Sequence, residues 1–240
     1  MDLQQNRIPS RITPDRLTNT VIAVTIEDKF SASYLEGKIV PSYNRKHPEL
    51  PLEKLRLNNR QPNGGEEQYF YANRLFRVLF KHDIIAFNIV SGYPGWNTYR
   101  SWMSDFLEDD ELILKKVMLQ YVSEYKDITL FSPEVLDGTI TLNHVQDFAG
   151  TELQYRCHVH DFDNNSIILG DATVKLTNSA IFQGIEGIFS RIDIRIDSVP
   201  FNGTKNDFYI MMDKLHHHEK VLFFSMLSEG FVNSLNPEYD

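Results

Sequence analysis

The stretch from Thr204 to Asn236 places the tightest constraint on the fold. Phe208, Met211, Met212, Leu215, Leu222, Met226 and Leu235 recur in it at helical spacing, and such a stripe must be buried against something. Thr204 three residues before Asp207 makes a capping-box-like start, and Asn236-Pro237 makes a stop, so the spacing predicts one helix over the whole stretch. A helix of about 30 residues is about 45 Å long, which makes it a spine for sheets to pack on.

The strands supply those sheets. Val21 to Ile26 is apolar and β-branched enough for a strand covered on both faces. Phe70 to Phe80 and Ile84 to Val90 read as two strands joined by Lys81-His82-Asp83, and Lys115 to Tyr125 as another. Thr139 to Phe148, Leu153 to Phe162, Ser166 to Asn178 and Gly187 to Pro200 read as a meander, with Asp163-Asn164-Asn165 as its tightest turn. In the last of these Ile188, Ile192, Ile194 and Ile196 alternate with Arg191, Asp193, Arg195 and Asp197, so one face is core and the other wet. Between strands, Tyr93-Pro94-Gly95-Trp96 turns the chain into a helix over Asn97 to Leu107. Ala32 to Leu57, punctuated by Pro41, Pro48 and Pro51, gives a mixed signal, and Pro62-Asn63-Gly64-Gly65 reads as a loop. The expected fold is α+β: an N-terminal arm over 1–18, a first antiparallel-sheet lobe over 19–131 and a second over 132–240. Each lobe has a packed helix, and the second carries the long C-terminal one.

Charge and cysteine usage narrow the function classes. The chain has 24 Lys+Arg against 33 Asp+Glu, and a net charge of −9 repels a phosphate backbone, so nucleic acid is not an expected partner. The charge is uneven: residues 1–60 carry ten basic and seven acidic side chains, residues 121–180 three and nine. Cys157 is the single cysteine and forms no internal disulfide, which fits a reducing cytosol. No basic, apolar leader opens the chain and no run reaches the roughly 18 apolar residues of a membrane span, so a cytoplasmic, soluble protein is expected.

Chemistry-bearing residues are present without a catalytic constellation. His216-His217-His218 fan about 100° apart on a helix and do not close on one ion. Asp213 with His217, or His216 with Glu219, would need help from His158 and His160, which share a strand face. Asp161, Asp163 and Asp171 lack the order of a calcium loop. Cys157 and His158 point to opposite strand faces, and the Arg191 to Asp197 row reads as cross-strand ion pairs. No P-loop, dinucleotide fingerprint or nucleophile elbow occurs. No catalytic residue, metal ligand or cofactor is therefore assigned. Tyr93, Trp96, Tyr99, Trp102 and Phe106 read as core, with Tyr93 and Trp96 placed by their turn to serve as contact residues for a partner.

Val21 to Ile26, Leu50-Pro51-Leu52, Tyr93-Pro94-Gly95-Trp96, Leu119-Gln120-Tyr121-Val122, Ile192 to Asp197 and the ending Leu235-Asn236-Pro237-Glu238-Tyr239 occur in that order. The series resembles a sporadically distributed prokaryotic family of uncharacterised proteins of about this length. In that family a Tyr/Gly/Trp turn, a Leu-Arg-Tyr-Ile strand, an Asp-Ile-Asp strand and a Leu-x-Pro-Glu-Tyr end recur. Here Gln120 stands where the family tends to have Arg. The resemblance implies no particular chemistry. Its patchy distribution is similar to that of accessory components of toxin–antitoxin or phage-defence modules. In architecture, strands with a long helix also resemble export chaperones of the SecB type, which bind unfolded clients. The expectation is a non-enzymatic cytosolic protein that binds another protein and forms a homo-oligomer if that partner is a second copy. The alternatives are such a chaperone, or a metal-dependent enzyme using His158, His160 and His216 to His218.

Overall fold

The computed structural model describes residues 8–10, 12, 16–27, 29–56, 69–81, 83–90, 92–132, 134–137, 151–182 and 185–239. Among them are nine strands and four helices, so the fold is mixed α+β. The strands are β1 (Leu17–Ile26), β2 (Glu53–Arg56), β3 (Tyr69–Ala72), β4 (Phe76–Phe80), β5 (Ile84–Ile89), β6 (Leu114–Lys126), β7 (Glu152–His160), β8 (Ile168–Phe182) and β9 (Ile185–Ser198). The helices are α1 (Ala32–Lys46), α2 (Trp96–Leu107), α3 (Lys205–Met226) and α4 (Glu229–Ser234). No helix among the described residues is long and apolar enough to cross a membrane. The expected Pro62 to Gly65 loop and the Thr139 to Phe148 strand lie outside the described residues. Contacts divide the chain into two compact units.

One unit comprises Asn19–Leu119 and Pro200–Phe208. Its strands run in the order β2-β3-β4-β5-β1, with the first half of β6 next to β1. The β1–β5 and β4–β5 ladders are antiparallel, pairing Ala23 with Ala86 and Val78 with Phe87. The expected single strand from Phe70 to Phe80 is itself a hairpin. Asn73 Oδ1 accepts from the N–H groups of Leu75 and Phe76 and turns the chain between β3 and β4. The mixed region before it contains α1, which continues through Pro41. Ser31 caps its start by accepting from Tyr34 N–H, Arg45 and Lys46 close it, and Leu35, Ile39, Val40 and Tyr43 form its buried stripe. Proline removes one helical hydrogen bond and crowds the carbonyl four residues back. Here that residue is Gly37, which carries no side chain to add to the crowding. Tyr43 stacks on Phe106 at 4.5 Å and meets Phe76 edge-on at 5.8 Å, so α1, α2 and β4 share one aromatic core. Helix α2 stops at Leu107, and beyond it the Asp109 and Glu111 carboxylates both pair with Lys38 of α1 at 2.6 Å.

The other unit comprises Met1–Thr18, Gln120–Val199 and Tyr209–Asp240. Its strands run from the second half of β6 through β9 and β8 to β7. The β7–β8 and β8–β9 ladders are antiparallel, pairing Cys157 with Ala172 and Val174 with Ile194. Ile192, Ile194 and Ile196 are buried as the alternation requires, but Ile188 is 48% exposed. The ladder register shifts between Ser179 and Ile181, opposite the Phe189–Glu186 stretch that contains Ile188, and the alternation breaks there. Gly170 sits where an added Cβ would lie 2.4 Å from the Asp197 carbonyl oxygen, so β8 and β9 approach there too closely for any other side chain.

The C-terminal stretch differs from the expected single helix. The start is as anticipated, with Thr204 and Asp207 hydrogen-bonded reciprocally, and Phe208, Met211, Met212 and Leu215 are buried. Helix α3 nevertheless ends at Met226. Leu227 forms a bridge with Leu136, and Ser228 takes extended backbone and caps α4 by accepting from Phe231 N–H. Two recruited backbone groups, Ser228 N–H to Val135 O and Asp137 N–H to Met226 O, replace the helical ladder at the break. Leu222 and Met226 are half-buried as a result, and Leu235 is buried beyond the break.

Candidate interaction surface

The turn between β7 and β8, residues 161–167, is built from short polar side chains folding back on the backbone. Asp161 Oδ1 accepts from Asp163 N–H and Asn164 Oδ1 from Ser166 N–H, and Asp161 N–H donates to Ile167 O, closing the loop. Helix α3 pins this turn. Lys214 donates to both carboxylate oxygens of Asp161 at 2.8 Å and to Asp163 at 2.9 Å. Hydrogen bonds to those two carboxylates raise the Lys214 pKa, and the Lys214 hydrogen bond lowers that of Asp161. Phe162 stacks on the His218 ring at 3.8 Å and meets His217 edge-on at 4.8 Å.

On this scaffold the tip leaves apolar groups in water. Phe162 is 38% exposed, Ile167 47% and Ile168 40%, and Val199, whose N–H donates to Leu169 O, adds another at the same end of the sheet at 37%. Around them stand the exposed carboxylates of Asp163 and Asp171. Exposed apolar side chains beside exposed carboxylates at one end of a sheet make this the candidate contact surface. Nothing in the periodicity of the sequence singled it out. The available signal was local: Phe162 and the pair Ile167-Ile168 flank a turn of small polar residues, where side chains have no sheet partner to bury against.

The histidines sit in three different environments. His158 Nδ1 lies 2.7 Å from Asp171 Oδ1 and His160 Nδ1 2.7 Å from Asn165 O, with the two rings on one strand face and their centroids 6.3 Å apart. His216 is largely buried beside the ring of Tyr121, and burial, with Lys220 and His217 nearby, lowers its pKa to about 3. Burial lowers that of His218 to about 4 and also depresses His217, so all three are neutral imidazoles near pH 7. The helical fan thus sends one ring into the core and two onto Phe162. Among the described residues no group of three or more His, Cys, Asp and Glu side chains is arranged to hold a metal ion.

Cys157 is half-buried on the opposite face from exposed His158, and burial raises its thiol pKa, which disfavours a nucleophilic thiolate. The charged row of β9 pairs along the strand. Arg195 clamps Asp197 with two hydrogen bonds of 2.7 and 2.8 Å, and Arg191 meets Asp193 at 2.9 Å. Residues two apart on a strand share a face, and these pairs stand beside one of the expected cross-strand kind, Arg191 with Glu124 of β6 at 3.8 Å.

In the other unit, Tyr93 and Trp96 lie at the entry to α2. Gly92 and Gly95 hold positive φ of 42° and 86°, which only glycine adopts without strain, and they swing the chain into the helix. Tyr93 and Trp96 are both half-buried, with the Tyr93 ring edge-on to buried Tyr99 at 6.3 Å. The Tyr99 hydroxyl donates to Phe87 O at 3.0 Å. No protein-family model matches the chain, and no curated protein matches it.

Proposed function

We propose that this is a non-enzymatic protein that works in the cytoplasm by binding another protein, and that the β7–β8 tip is its principal contact. The observation that carries the reading is the exposure of Phe162 and Ile167 on the turn and of Ile168 just after it, with the turn tied to α3 by Lys214 and by Phe162 packing on His218 and His217. A pinned surface loses little conformational freedom on binding, and large apolar side chains at the centre of such a surface carry most of the affinity. The Asp163 and Asp171 rim and the net charge of −9 favour a partner with an apolar surface edged by Lys or Arg. Tyr93 and Trp96 form a secondary contact in this reading. In this reading the two compact units stand for the two expected lobes.

Affinity capture from host lysate, comparing the wild-type chain with the Phe162→Asp/Ile167→Asp variant, tests it. The variant is expected to recover at least tenfold less of the partner while keeping the wild-type circular dichroism spectrum. Equal recovery of every captured protein by the two chains would overturn the proposal.

A further inference from the structure

We propose that His158 and His160 form a binding site for a divalent transition-metal ion of the copper(II) type on the exposed face of β7. The assignment does not rest on the protein-binding reading, although the Asp171 carboxylate belongs to both surfaces.

Two residues apart on one strand, these side chains leave the same face, and the structure sets their rings perpendicular with centroids 6.3 Å apart. Each Nδ1 is committed to a group that accepts only: the Asp171 carboxylate for His158 and the Asn165 carbonyl for His160, both at 2.7 Å. A ring nitrogen facing an obligate acceptor carries the proton. Each imidazole thus donates from Nδ1, and Nε2 is the nitrogen left to face a metal ion. This is the second-shell arrangement of metal-bound histidine, in which a carboxylate or backbone carbonyl holds the far nitrogen, orients the ring and raises its basicity.

The ladder register explains why the arrangement forms. His158 stands directly opposite Asp171, and the shift in β7 between Val159 and His160 pairs His160 with Ile168. That displacement brings its ring to the Asn165 carbonyl in the turn. A metal lies about 2.0–2.1 Å from each imidazole nitrogen, so the ion joins the two Nε2 atoms once the rings turn toward each other across their 6.3 Å separation. With no third protein ligand grouped nearby among the described residues, the remaining positions fall to water, and the ion is exchangeable. Two imidazole nitrogens with water favour copper(II) over nickel(II) and zinc(II) in affinity.

Isothermal titration of untagged protein with CuCl2 at pH 7.4, together with electron paramagnetic resonance of the copper complex, tests the assignment. The expected result is one ion bound per chain, with a spectrum showing two equivalent imidazole nitrogens. His158→Ala and His160→Ala should each weaken binding at least tenfold and leave a single nitrogen in the spectrum. Asp171 acts as a positioning residue: Asp171→Asn should weaken binding 10- to 100-fold and render the two nitrogens inequivalent. Unchanged copper affinity in the His158→Ala/His160→Ala variant would overturn the site. A spectrum for Asp171→Asn identical to wild type would overturn the role given to Asp171.

Discussion

Ile194→Asp is expected to abolish the cooperative thermal transition of the β7–β8–β9 unit, while Asp193→Asn shifts stability by no more than about 1 kcal/mol. The two positions are neighbours on one strand with opposite environments. Ile194 is 1% exposed and pairs with buried Val174, so the substitution removes an apolar side chain worth about 1.5–3 kcal/mol and buries a carboxylate with no partner. Together these rival the roughly 5–15 kcal/mol that holds a domain folded. Asp193 faces the other way, where its Oδ2 accepts from Gln120 Nε2 at 3.1 Å and from Arg191 at 2.9 Å, and an asparagine oxygen in that place accepts both. Similar midpoints in thermal denaturation for the two variants would mean that the strand faces are reversed.

The second large effect is acid sensitivity with a defined window. His216 has a folded pKa of about 3 against an ordinary value of 6.5, so the unfolded chain binds a proton that the folded chain refuses. Its contribution to stability is complete above pH 6.5 and is lost as pH falls toward 3, at about 1.4 kcal/mol per pH unit. Between pH 6.5 and 4.5 that amounts to about 3 kcal/mol. His218 acts in the same direction with a smaller weight because its ring is less buried. Carboxylates held low by cations, such as Asp161, add their loss only nearer pH 4. Urea denaturation across this range should show the decline, and His216→Phe should flatten it between pH 6.5 and 5. The Glu219 carboxylate, 3.6 Å from His216 Nδ1, pulls the other way. Stability that stays flat or rises on acidification would show that Glu219 keeps His216 as an imidazolium.

What the sequence disclosed follows from how each signal arises. The alternation of Ile192, Ile194 and Ile196 with charged residues is a direct imprint of a sheet with one wet face, and those residues are buried as read. Alternation carries no information about register, so the shift that exposes Ile188 was invisible. The Thr204–Asp207 cap was legible because capping is local. The end of α3 was not, because Leu227 leaves the helix for a bridge to Leu136, ninety-odd residues earlier in the chain. Helix α1 was obscured by reading Pro41 as a breaker, although Ser31 and the spacing of Leu35, Ile39 and Tyr43 encode it. The shared strand face of His158 and His160 could be read from their spacing. Their hydrogen-bond partners could not, since Asp171 comes from the neighbouring strand and Asn165 from the turn.

Hydrogen–deuterium exchange of the chain, free and saturated with the partner recovered by affinity capture, tests the protein-binding reading most directly. Residues 161–168 should exchange at least tenfold more slowly in the complex, with a smaller effect at 93–97. Unchanged exchange at 161–168, with protection elsewhere in the chain, would contradict it.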